Sequence, residues 1–182
     1  AVIWVDVVQM VLYIFGGLIA LYMLTQLVPG GWDGIMATAR AQGKLDVVQL
    51  EGGFASGRWL LTGLVGGTFL SMASHGVDHI IVQRLLAANS LRNARRALIG
   101  SGVAVFAQFV LFLFIGIGLY AYYQAPQFEV ADAIFPLFIV EALPPGLSGL
   151  IVAGILAAMM STVASSLNSL ASASTHDIYA PL

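Results

Sequence analysis

The stretch Ala153–Ser174, "AGILAAMMSTVASSLNSLASAS", decides how this chain is read. It is apolar and long enough to cross a bilayer as a helix, yet it carries six serines, a threonine and an asparagine. Placed on a helix at about 100° per residue, Ser161, Ser165, Asn168, Ser169 and Ser172 fall on one side, with Thr162 and Ser166 at its edge. Met159, Met160, Val163, Leu167 and Leu170 take the other side. Two readings follow. In the first, small residues and hydroxyls let membrane helices pack closely. In the second, the oxygens replace the hydration shell of an alkali cation, together with carbonyls freed where helices are interrupted. Ser161 and Thr162 are adjacent, so both hydroxyls can meet one ion beside the carbonyl of Ala158, one turn earlier. Periodicity does not choose between the two.

The rest of the 182 residues fits a membrane setting, with 59% hydrophobic and 9% charged, against about 25% charged in soluble domains. Four apolar runs, Val2–Val28, Trp59–Val82, Ala97–Tyr123 and Leu147–Ala173, each exceed the ~20 residues that a spanning helix needs. They lack the two-residue alternation of a membrane β-barrel. The expectation is an all-α polytopic membrane protein with a single membrane domain and helices at 2–28, 59–82, 97–123 and 147–175. Four of the seven basic residues, Arg84, Arg92, Arg95 and Arg96, lie in "QRLLAANSLRNARRA", which places loop 83–96 in the cytoplasm by the positive-inside rule. Loop 124–146 carries Glu129, Asp132 and Glu141 and no Lys or Arg, so it and loop 29–58 are read as outside. Short helices are expected within "GIMATARAQGKLDVVQL" and around Ala131–Ala142. The chain has no cysteine and does not start with Met; a fragment is expected.

Other polar residues sit at membrane depth. Asp6 lies in "WVDVVQMVLY" with Gln9 one turn later. An ionisable group there faces a cavity or partner, unless it is shallow enough to be solvated at the cytoplasmic mouth. The second run, "LTGLVGGTFLSMASHGVDHIIVQR", mixes glycines with Ser71, Ser74, His75, Asp78 and His79. A glycine-interrupted hydrophobic segment with polar residues points to a transporter binding site, although Gly63-x-x-x-Gly67 also suits close packing. His75 and His79 stand four apart without the carboxylate of an HExxH motif, so a metal is not argued for. Asp78 and Arg84 read as an ion pair or a cap near the inner end. Gly146-Leu147-Ser148-Gly149 has the form of an intramembrane protease nucleophile. Its downstream His176 lies 28 residues away, about 42 Å along a helix, whereas nucleophile and base need ~3 Å. No enzyme activity is expected.

With these residues in view, the chain resembles the sodium/solute symporter family, which includes the sodium/glucose cotransporters and the bacterial proline symporter. "AVIWVDVVQMVLYIFGG" resembles the family helix with an aromatic-x-Asp-x-x-Gln pattern. "SHGVDHIIVQRLLAANSLRNARRALIGSG" resembles its Asp-Gln-x-x-Val-Gln-Arg segment and basic loop, with His79 in place of the first Gln. "IFPLFIVEALPPGLSGLIVAGILAAMMSTVASSLNSLASASTHDIY" resembles its helix ending in Asp-Ile-Tyr.

The resemblance implies part of a leucine-transporter-type five-plus-five inverted-repeat bundle, this chain being core helices five to eight. It implies sodium-coupled secondary active symport of a small organic solute by alternating access. Na+ would be held by Ala158, Ser161 and Thr162 and completed by carbonyls of core helix one, outside this chain. Some members hold a further sodium. Asp6 and Ser165 match that site, but the other hydroxyl position is Ala164, so one sodium per solute is expected. Ser71, Ser74 and His75 match cavity positions, with His75 a partner for a carboxylate or hydroxyl. Val105 stands where the sugar transporters have a lysine, so a sugar is not expected. The implied partners are the solute, sodium, the lipid bilayer and the remaining transporter helices, with no nucleic acid. The implied location is a bacterial inner membrane. The competing class is a non-transporting membrane scaffold or sensor, in which the serine stripe serves only helix packing.

Overall fold

The computed structural model of the protein describes residues 2–46, 49–53, 56–57, 59–124 and 130–179, without the side chains of Val2, Ile3, Val5, His79, Ile80, Gln83, Arg84, Ala131, His176 and Asp177. Its elements are α-helical throughout: α1 (Val2–Leu27), α2 (Gly31–Ala41), α3 (Leu60–Gly76), α4 (His79–Leu86), α5 (Leu91–Tyr122), α6 (Ile134–Glu141) and α7 (Pro145–Ala173). A 3-10 turn at Ala131–Ala133 leads into α6, and a π-type turn at Ser174–Tyr179 follows α7. Two compact units are formed, one from Ala1–Lys44 with Ala104–Ala164, the other from Leu45–Val103 with Ser165–Leu182.

The first unit holds the buried core. Phe138, Leu24, Ile35, Ile115 and Ile139 are its largest fully buried side chains. α1 turns into α2 through Gly30 and Gly31, at φ 81° and 58°, a left-handed backbone that glycine adopts without steric cost. α1 runs alongside α5 in the same direction. Tyr13 stacks on Phe112 with ring centroids 5.0 Å apart, Gly17 sits against Leu111 and Ile115, and Leu24 covers Gly118. The two short helices close the end of this pair: Trp32 of α2 tilts against Phe114 at 5.4 Å, and Phe138 of α6 meets Tyr122 edge-on at 5.5 Å.

α1 and α7 run antiparallel. A Cβ on Gly16 would lie 3.1 Å from Cγ1 of Ile151, and one on Gly154 would lie 4.0 Å from Cβ of Leu12. Glycine on each helix in turn lets the other approach, as in membrane helix pairs generally. Pro145 starts α7 at the first helical position, where its missing N–H costs nothing and its φ is already helical.

In the second unit, the apolar run at 59–82 is two helices and not one. α3 ends at Gly76 and α4 begins at His79. Glycine costs about 1 kcal/mol in a helix interior, and Asp78 then offers a better alternative. Its carboxylate accepts from the N–H of Ile81 at 3.4 Å, the N-cap bond that opens a new helix. Gly63, Gly66 and Gly67 of α3 have open space where a Cβ would stand, so the Gly63-x-x-x-Gly67 spacing serves no contact among the described residues. Trp59 anchors the start of α3 by donating from Nε1 to the carbonyl of Leu50 at 3.1 Å.

α5 begins at Leu91, six residues before the position expected from hydropathy. Ser90 caps it, its hydroxyl accepting from the N–H of Asn93 at 3.2 Å. Arg92, Arg95 and Arg96 therefore ride on the first turns of a helix.

Three helices among the described residues are long and apolar enough to cross a membrane: Asp6–Leu27, Leu91–Tyr122 and Pro145–Ala173. α3, with 17 residues, spans about 25 Å at 1.5 Å per residue, and α4 continues past the break. Trp4, Phe106 and Met160 are each more than 70% exposed, an apolar surface that water does not tolerate in bulk but lipid or further helices do.

Candidate sodium site

α7 carries the serine stripe as a half-buried band. Ser161, Ser165, Ser166, Ser169 and Ser172 are half-buried, while Met159, Met160, Val163, Leu167 and Leu170 are exposed. Asn168 departs from the pattern and is exposed, as is Thr162.

Within the first unit, one turn of α7 carries Ala158, Ser161 and Thr162. The Thr162 hydroxyl donates to the carbonyl of Ala158 at 2.9 Å. The Ser161 hydroxyl donates to Oδ1 of Asp6, on α1, at 2.6 Å. In each bond the donor oxygen keeps its lone pairs, so both hydroxyls still accept charge from a cation. Among the described residues no three His, Cys, Asp or Glu side chains cluster as transition-metal ligands. Neutral oxygens with one carboxylate nearby suit a hard monovalent ion instead. Ala158 and Thr162 also line a cavity of about 620 Å³, walled by Tyr13, Gly16, Phe112 and Ile151. Its lining is predominantly apolar, with Tyr13 and Thr162 the residues that carry a hydroxyl.

The resemblance groups Asp6 with Ser165 as ligands of a further sodium; the described bond of the Asp6 carboxylate is to Ser161. It is half-buried and hydrogen-bonded. Ser165 is half-buried and belongs to the second unit. The Asp6–Ser161 contact joins residues 155 apart in the chain, and neither helical periodicity nor composition reports such a pair. The reading that helices one and four run in opposite directions held the only signal, because it brings the start of one toward the later turns of the other.

The polar residues of α3 form a local cluster in the second unit. Ser74 Oγ lies 2.8 Å from His75 Nδ1 and 3.2 Å from the carbonyl of Ser71, and His75 Nδ1 also lies 3.2 Å from that carbonyl. Ser74 and His75 are half-buried and Ser71 is exposed. Asp78 caps α4. Its expected partner Arg84, and His79, have side chains outside the described residues. Ser148, the apparent nucleophile, donates to the carbonyl of Pro145 at 3.0 Å.

Comparison with known proteins places this arrangement. The model of the sodium:solute symporter family matches residues 1–182. The sodium/sialic acid symporter SiaT of Proteus mirabilis is 33% identical, with all of this chain aligned to 38% of that protein. The sodium/sialic acid symporter NanT of Aliivibrio fischeri is 27% identical over 98% of this chain and 36% of its own length. The human sodium-coupled monocarboxylate transporter 1 is 29% identical over all of this chain and 31% of its own length. A substrate-bound, outward-open Na+-coupled sialic acid symporter, whose structure reveals a novel Na+ site in that protein, superposes with a TM-score of 0.87. It is 32% identical, covering 100% of this chain and 39% of its own. The chain thus spans less than two-fifths of the length of these relatives. They are transporters and not enzymes, and the fold is the one expected, an all-α multi-pass membrane protein forming part of a leucine-transporter-type inverted-repeat bundle. The chain belongs to the sodium:solute symporter family.

Proposed function

We propose that this chain supplies core helices five to eight of a transporter that couples sodium entry to uptake of a small organic solute by alternating access. Na+ is held by the Ala158 carbonyl and the Ser161 and Thr162 hydroxyls, and segments outside this chain complete its shell. The observation that supports the reading is that one turn of α7 carries all three oxygens, with the Ser161 hydroxyl bonded to the Asp6 carboxylate and the Thr162 hydroxyl to the Ala158 carbonyl. Sodium stabilises the outward-open state by its higher affinity there, and its release inward frees the solute; no more than differential affinity between two states is needed. One sodium accompanies each solute.

Ser71, Ser74 and His75 line the solute cavity. His75, held beside Ser74 and the Ser71 carbonyl, is the partner for a carboxylate or hydroxyl of the solute. Relatives that carry sialic acid and monocarboxylates support an acidic solute. The membrane is a bacterial inner membrane, with segment 83–96 in the cytoplasm and segments 29–58 and 124–146 outside.

One observation favours the scaffold reading instead. The Thr162 bond to Ala158 is the common back-bond of helical threonine, repeated at Thr38, Thr68 and Thr175 with oxygens four residues earlier. Proteoliposomes holding the full-length transporter separate the two. An inward sodium gradient should drive uptake of labelled sialic acid or a short monocarboxylate, and Thr162→Ala should abolish it with normal membrane insertion. Uptake of these solutes that ignores the gradient contradicts the coupling.

A further inference from the structure

We infer that Asp6 is a positioning residue for sodium, acting on the ion through the hydroxyl of Ser161 and not as a ligand of an ion of its own. The inference rests on the sodium site proposed above. The Ser161–Asp6 distance of 2.6 Å is that of a charge-assisted O–H···O⁻ bond. An ionised carboxylate only accepts, so the single hydroxyl proton of Ser161 points at Asp6 and the lone pairs of Oγ point elsewhere. Thr162 solves the same problem within its own helix, by giving its proton to the Ala158 carbonyl at 2.9 Å. Neither hydroxyl then presents a proton to an approaching cation.

The two solutions differ in what they depend on. Any helix supplies the acceptor for Thr162. The acceptor for Ser161 comes from α1, and the α1–α7 seam delivers it. Ten residues separate Gly16 from Asp6 on α1, and ten separate Ile151 from Ser161 on α7. The close Gly16–Ile151 approach and the Asp6–Ser161 bond are therefore in register along one antiparallel contact. Three residues beyond Ser161, Ala164 offers no side-chain oxygen, so the carboxylate's described bond on α7 goes to a hydroxyl of the proposed site. Polar groups that orient a metal's ligands typically weaken binding about 10–100-fold when removed.

Equilibrium binding of 22Na+ to the purified full-length transporter tests this, using wild type, Asp6→Ala, Asp6→Asn, Ser161→Ala and the Asp6→Ala/Ser161→Ala pair. The wild type should bind one 22Na+ per protein. Asp6→Ala should raise the Kd about 10–100-fold, and Asp6→Asn clearly less, because its amide oxygen still accepts from Ser161. In the Ser161→Ala background, Asp6→Ala should add less than about threefold, since coupled residues fail to add. If Asp6→Ala does not yield folded protein, Asp6→Leu, similar in size and without an acceptor, carries the same cycle. In either cycle, a tenfold loss that persists undiminished without the Ser161 hydroxyl overturns the inference. So does a wild-type Kd in Asp6→Ala, or a second 22Na+ per wild-type protein that Asp6→Ala removes. Absence of saturable 22Na+ binding in the wild type removes the sodium site itself, a separate failure.

Discussion

Replacing Gly16 by valine sets helix propensity against helix packing. A Cβ at Gly16 would stand 3.1 Å from Cγ1 and 3.4 Å from Cδ1 of Ile151, while apolar carbons rest at about 3.5–4.0 Å. Alanine alone therefore overlaps by roughly half an ångström. Moving Ile151 off its rotamer costs about 0.5–1.5 kcal/mol, but leaving glycine returns about 0.8–1.0 kcal/mol of helix propensity. Gly16→Ala is thus predicted to be close to neutral. Valine adds two further carbons toward Ile151 and recovers less propensity, so Gly16→Val should cost about 1–3 kcal/mol, the range for overpacking. Ile151→Ala removes the obstruction. The Gly16→Val/Ile151→Ala pair should be more stable than the sum of its singles by about 1 kcal/mol or more. Thermal unfolding of the purified full-length transporter in detergent, followed by tryptophan fluorescence, reads all four proteins. A Gly16→Val variant that melts with the wild type, or singles that simply add, would refute the seam drawn between α1 and α7.

Three further outcomes follow from particular contacts. Asp78→Ala removes the cap of α4 and should cost about 0.5–2 kcal/mol, with Asp78→Asn near neutral; hydrogen exchange at the amides of residues 79–82 should rise in the first alone. Phe138→Ala empties the largest fully buried side chain of the core and should cost about 3–5 kcal/mol, read as lost monodisperse protein on size exclusion. Ser74→Ala breaks the bond that orients His75 and should raise KM for a carboxylate solute about tenfold, the worth of one oriented hydrogen bond of ~1.4 kcal/mol, while the sodium Kd stays unchanged.

What could be read in advance was local. The separation of Ser161, Ser165, Ser169 and Ser172 from Met160, Val163 and Leu167 needs only the pitch of a helix, and the structure keeps it. The start of α5 was placed late because arginines were read as loop; the capping signal of Ser90, three residues before Asn93, was available and outweighs charge. The break at Gly76–Asp78 was visible as glycine followed by a capping acid, yet hydropathy smoothed over it. Long-range facts were not legible. That the buried core lies where α2 and α6 cover α1 and α5 depends on tertiary contact. That Asp6 meets Ser161 depends on the register of two helices that glycine lets approach, and no pattern within either helix encodes it.

The central claim is that oxygens on the inner turns of α7 replace water around a sodium ion. A high-resolution structure of the full-length transporter, determined in sodium and again in choline, tests it most directly. The account predicts density for an ion touching the Ala158 carbonyl and the Ser161 and Thr162 hydroxyls in sodium alone, with Asp6 bonded to Ser161 behind it. The account is contradicted if those hydroxyls face acyl chains, or press against a neighbouring backbone with no space for an ion.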